Sequence, residues 1–255
     1  GDLAFNSCYE LMAADVSALH TGPRGWLVLD QWEALPAGED QPAWLLPRLR
    51  FLARAEGLPD NPGLRGGMEV MWTLVPENAT NSRLCRLMRV TQPENSEESL
   101  QSDRYASSLL RGGGGIAVLD GVPWVEWIAM ESNGDQSSIT EVAAESPTVF
   151  PVALQFNLER IAGSARERPP SLDETVASSQ TRFKLRGTMP LRASSWALVD
   201  FEWVEWTGTG PQISIKNRGE RSTVPSSHDR GASVFFPRSF TAKLPLSAKG
   251  RRIQP

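Results

Sequence analysis

Apolar residues open the chain at Phe5, Tyr9, Met12, Val16 and Leu19. Steps of 4, 3, 4 and 3 residues place them on one stripe of a helix over residues 3–20. No Ser, Thr, Asn or Asp cap with a downstream Glu opens that pattern, which leaves two readings, the lower end of a longer helix or an ordinary N-terminal helix. Gly22-Pro23 and Gly25 stop it. From there the apolar period shortens toward two. Met68 to Val75 sets Val70, Trp72 and Leu74 on one face, and Arg83 to Val90 reads as the returning strand of a hairpin. Shorter strands are expected at 26–29, 49–53, 116–119 and 122–130. Val152, Leu154, Phe156 and Leu158 give the clearest late strand, further strands are expected at 181–189 and 196–206, and beyond these come edge strands at 213–216 and 233–236 and a weak apolar alternation at 239–246. Residues 91–115 read as a polar insertion ending in Gly112-Gly113-Gly114-Gly115. No Gly-Lys-Ser/Thr follows the glycines, so they read as a hinge or loop, not a phosphate cradle. Val-Glu-Trp occurs at 125–127 and again at 204–206, too short to count as a repeat.

These patterns add up to an α+β fold, with an N-terminal amphipathic helix packed on antiparallel β-sheet. They divide the chain into a helix at 1–20, a β-rich body at 21–206 and a basic C-terminal extension at 207–255. With 40% hydrophobic and 22% charged residues the chain is globular. No stretch approaches the roughly 20 apolar residues of a membrane-spanning helix. The net charge of −4 is unevenly placed: residues 216–255 hold nine Lys/Arg against Glu220 and Asp229. Those basic residues stand singly among Ser, Pro and Gly without interleaved aromatics, which argues for a solvated tail and against nucleic acid.

Candidate chemistry is sparse. A Ser-His-Asp reading would recruit Ser226 or Ser227 to His228 and Asp229, but triad members normally converge from separate elements, and no Gly-x-Ser-x-Gly elbow occurs. The acidic run from Glu94 to Asp103 lacks calcium-loop spacing. Cys8 and Cys85 fit neither a zinc site nor a redox pair and read as buried free thiols, with a disulfide as the alternative. Glu126 and Glu202 stand beside strand tryptophans, which raises a glycosidase or sugar-binding reading; the competing reading is that the nine tryptophans fill a β core. No catalytic, cofactor-binding or metal-binding residue is assigned.

The order of short motifs carries a resemblance. After the helix come Leu49-Arg50-Phe51, Val70-Met71-Trp72-Thr73-Leu74, Leu84-Cys85-Arg86 with Leu87-Met88-Arg89, Val118-Leu119-Asp120-Gly121-Val122, and Phe150-Pro151-Val152-Ala153-Leu154-Gln155-Phe156. The series resembles the minor pseudopilins of type II secretion systems, the J-type subunit most closely, over about residues 1–160. The family's Gly-Phe-Thr-Leu-x-Glu processing motif and apolar helix are absent, and residues 186–255 run past its usual end. The resemblance implies a pilin-like fold and a non-catalytic subunit in the periplasm, anchored in the inner membrane through a helix that precedes this sequence. It also implies assembly with other minor pseudopilins at a filament tip, and contact with exported proteins. On the helix, Asp2, Phe5, Tyr9, Glu10 and Asp15 are the expected partner-binding residues. The alternative is a carbohydrate-binding or adhesive β-sandwich that displays its tryptophans on one face.

Overall fold

The computed structural model describes residues 3–39, 41–60, 65–77, 83–94, 96–142, 150–161, 169–189 and 195–246. It corrects the expected fold class. The chain is mostly β, with 49% strand and 13% helix, so it is not an α+β pilin built around its N-terminal helix. The reason lies in pairing. Segments that read as separate short strands join into antiparallel sheets of six, six and four strands.

Helix α1 (Leu3–Ser17) comes first, shorter by a few residues than its apolar period suggests. Leu19 has left the helix and bridges Ala53, while the His20 N–H donates to the Leu52 carbonyl. Gly25 is needed at this exit, because a Cβ there would lie 1.6 Å from the His20 carbonyl oxygen. The first sheet takes β1 (Leu27–Leu35), β2 (Trp44–Arg54), β3 (Gly67–Pro76), β4 (Cys85–Pro93) and β5 (Ile116–Val122) in meander order. The strand β8 (Thr140–Val142) pairs on the far edge of β1. Between β4 and β5, the segment expected to be a loop holds α2 (Asp103–Arg111), capped by the Ser102 hydroxyl. Ala106 and Leu110 turn inward, and Arg48 of β2 ion-pairs with Asp103 at 2.5 Å.

The second sheet has four strands, β6 (Trp124–Met130), β7 (Gln136–Ser137), β9 (Ala153–Arg160) and β16 (Arg238–Pro245). β9 and β16 pair along their whole lengths, from Ala153 opposite Pro245 to Arg160 opposite Arg238. Everything between them is an insertion at the open end of this two-stranded ladder. It carries the third sheet, made of β10 (Ser171–Leu172), β11 (Arg182–Arg186), β12 (Trp196–Val199), β13 (Glu202–Thr207), β14 (Gln212–Glu220) and β15 (Val234–Phe235). That sheet has its own apolar cluster, including Val176, Phe183, Val204, Ile213 and Val234. Residues beyond 206 are therefore strand-forming members of two sheets, not a solvated tail, as far as residue 246. Lys249, Arg251 and Arg252 lie outside the described residues.

Helix α1 is wedged between the first two sheets. Met12 and Val16 are completely buried, and the Trp127 indole of β6 meets the Met12 Sδ at 3.4 Å. On the same inward face Asp15, also completely buried, accepts hydrogen bonds from Arg89 of β4 at 2.6 and 2.8 Å and from the Trp72 indole of β3 at 2.8 Å. Burial holds the Asp15 carboxyl above its ordinary value, although the Arg89 guanidinium opposes the rise. Burial would lower Arg89, but its hydrogen bonds to Asp15 and Asp60 overturn that and raise it. Removing one member of such a pair leaves an uncompensated buried charge. Asp15→Ala is expected to lower the unfolding free energy by about 3–5 kcal/mol, read from urea denaturation. A loss under about 1 kcal/mol would show that the helix is not held this way.

Arg221 joins the inserted sheet to the rest. Arg221 lies with its guanidinium carbon 4.1 Å from the ring centroid of Trp124, 4.4 Å from that of Trp196 and 4.5 Å from that of Trp203. It also donates two 2.8 Å hydrogen bonds to buried Glu159 of β9. Arg221 and Ser222 both hold positive φ, 52° and 60°, and this aims the guanidinium back across the joint. Arg221→Ala should split urea unfolding into two transitions, the first belonging to residues 171–236. A single transition with an unchanged midpoint would contradict the joint.

Candidate functional site

The residues expected on a partner-binding face separate into four groups. Asp2 lies outside the described residues. Asp15 is the buried anchor described above, so its charge serves the interior. Phe5 and Tyr9 are half-buried: Phe5 stacks on Phe240 of β16 at 4.2 Å between centroids, and Tyr9 stands 6.5 Å from Phe5. Of the five, Glu10 stands on the open surface. The uncovered stripe of α1 runs through Leu3, Ser7, Glu10, half-buried Ala14 and Ser17, spaced 4, 3, 4 and 3 residues. Leu3 is 82% exposed, the most uncovered large apolar residue among the described ones.

His228 does not meet Ser226 or Asp229 as a triad would require. Its Nδ1 lies 2.9 Å from Asp200 and its Nε2 lies 2.8 Å from Glu202, so both ring nitrogens are held by carboxylates. The Ser226 hydroxyl donates to the Val224 carbonyl instead. Glu202 is saturated: it accepts from Arg218 at 2.8 and 2.6 Å and from the backbone N–H groups of Gly219 and Ser226. Burial raises Glu202, but the bonds from Arg218 and His228 outweigh it and bring it down to about 2. Burial lowers His228, and its bonds to Asp200 and Glu202 outweigh that and raise it. An imidazolium locked between carboxylates has no lone pair to accept a proton, so this cluster holds the inserted sheet together and is not a general base.

The remaining candidates are likewise engaged. Glu126 sits in the second sheet and accepts from Asn157 at 3.2 Å, whereas Glu202 belongs to the third, so the two carboxylates do not share a cleft. Glu94 pairs with Arg24, and Asp103 with Arg48. Cys8 and Cys85 are buried free thiols, and burial raises both well above the ordinary thiol range, Cys8 to about 12. Among the described residues no group of three or more potential ligands could hold a metal. None of the nine tryptophans is exposed: six are buried and Trp124, Trp196 and Trp206 are half-buried.

The pattern reading of the chain missed the Arg221 box, although a signal was there. Each Val-Glu-Trp is preceded by another tryptophan, Trp124 and Trp203, and those two both stack on Arg221. Beside the box lies a cavity of about 160 Å³ bounded by all three sheets, with Trp44, Arg83, Trp124 and Trp127 in its wall. No protein-family model matches the chain, no curated protein matches it, and no solved structure matches its fold.

The His228–Glu202 pair gives the inserted sheet a bell-shaped stability. Glu202 is depressed on folding, so its contribution is present above pH 4.5 and is lost as pH falls toward about 2, a loss on the order of 3 kcal/mol. His228 is raised on folding, so its contribution is full below pH 6.5 and is lost as pH rises through its folded value. Urea midpoints for this sheet should therefore peak between pH 4.5 and 6.5, and His228→Gln should abolish the alkaline decline. An alkaline decline that survives the substitution would assign it to other groups.

Proposed function

We propose that this chain is a non-catalytic assembly subunit, acting as a minor pseudopilin does in a type II secretion or type IV pilus-like filament. The observation that carries the reading is the two-sided α1. One side is locked into the body through Met12, Asp15 and Val16. The other offers a continuous stripe with the uncovered Leu3, small Ser7, Ala14 and Ser17, and one acid, Glu10. Small side chains let a neighbouring helix approach closely, Leu3 supplies apolar area, and Glu10 favours a basic contact. The reading rests on this helix and on the order of strand motifs, not on a pilin-like α+β class. Anchoring in the inner membrane and a periplasmic location belong to the same proposal. No helix among the described residues is long and apolar enough to cross a membrane. The partners are sibling minor subunits and, through the loops, exported proteins. The sugar-binding alternative has less support, because stacking on a sugar needs an open indole face and no tryptophan here is exposed.

The test uses Leu3→Asp with Glu10→Lys, both on the open stripe, and leaves Asp15 intact. Capture of sibling subunits should weaken by about tenfold or more while circular dichroism is unchanged. Capture unaffected by the double substitution would remove α1 from the interface.

A further inference from the structure

Arg83 is the outlier among the buried charges. It is 5% exposed, its Nε has no hydrogen-bond partner, and no carboxylate among the described residues pairs with it. Its guanidinium carbon lies 5.2 Å from the centroid of the Trp44 ring. The other charges around the cavity are all engaged. Arg48 is held by Asp30 and Asp103, Arg221 by Glu159, and Glu126 accepts from Asn157. The wall thus holds a buried guanidinium whose Nε has no partner and which pairs with no carboxylate among the described residues, in a space also faced by Trp124 and Trp127. An uncompensated buried charge is costly, and a ligand that supplies the missing anion recovers that cost.

We propose that this cavity is a binding site for an aromatic carboxylate, with the carboxylate on Arg83 and the ring against the tryptophans. Three features select that chemistry. The guanidinium fork matches a planar carboxylate through two parallel hydrogen bonds. The volume of about 160 Å³ is close to the roughly 150 Å³ of a cavity that takes a benzene ring. Asp30 and Glu126 line the space beside Arg48 and Arg221, and a singly charged ligand meets less repulsion from the two acids than a dianion such as phosphate does. The site stands apart from the α1 stripe and does not depend on the assembly reading.

The experiment is a titration of the full chain with phenylacetate, followed by tryptophan fluorescence, since Trp44, Trp124 and Trp127 line the cavity. Saturable binding is expected, with neutral phenylacetamide weaker by about tenfold to a hundredfold. Arg83→Met should abolish phenylacetate binding and leave the melting temperature equal or higher, because it removes an unpaired buried charge. Should that variant fail to fold, the acid-against-amide comparison on the unaltered chain decides, with Arg83→Lys as the second variant, expected to bind several-fold more weakly. A parallel arm uses a short peptide ending in phenylalanine. Tighter binding of the peptide names a protein C-terminus as the source of the carboxylate, and tighter binding of phenylacetate names a free acid. Equal binding of acid and amide, competition by inorganic phosphate at the same concentration, or undiminished binding to Arg83→Met would overturn the proposal.

Discussion

The interior of this protein turns on one carboxylate. Asp15 sits on the inward side of a helix that is enclosed by two sheets, where a charge survives only if it is paired and hydrogen-bonded. Arg89 and the Trp72 indole provide both, and Arg89 reaches on to Asp60 at 2.7 Å near the surface. These bonds are directional, so they fix the rotation of α1 as apolar packing alone would not. Met12 then points at Trp127 and Phe5 at Phe240. The stripe through Leu3, Ser7, Glu10 and Ser17 is left outward as a consequence. The surface proposed for assembly is thus set by a buried ion pair on the opposite side of the same helix.

The inserted sheet repeats the same device. β9 and β16 form a ladder whose open end releases the chain into a second apolar cluster and receives it again. Two short crossings alone would let that unit swing. Arg221 prevents this by combining a bidentate bond to Glu159 with three indole faces, contributed by both sides of the joint. A cavity lies beside this joint, and its wall holds Arg83, whose buried Nε has no hydrogen-bond partner.

Much of the local structure was legible in the sequence, and the long-range structure was not. The helical period of Phe5 to Val16 and the two-residue period of β3 and β9 follow from side-chain geometry alone, and both elements are present. The fold class was misjudged because one clear helix at the start outweighed many short strands whose partners are distant. Leu154 of β9 meets Leu244 across 90 residues, a pairing that no local pattern encodes. Helix α2 was hidden because of its nine residues only Ala106 and Leu110 are buried, too narrow an apolar face to stand out in a polar stretch. Charged residues misled most. Asp15 counted as surface, and Arg218 and Arg221 as a solvated tail, because charge is usually exposed. Each has its partner on a distant segment: Arg89, Glu202 and Glu159.

The central claim is that α1 is immobilised from within and free on its outer stripe. Hydrogen exchange followed by mass spectrometry tests it most directly, comparing the chain alone with the chain mixed with sibling subunits. The account predicts that amides of Met12 to Val16 are protected in the chain alone as strongly as those of β3. On mixing, added protection should concentrate in residues 3–10. Fast exchange throughout α1 in the isolated chain, or added protection confined to other segments, would contradict it.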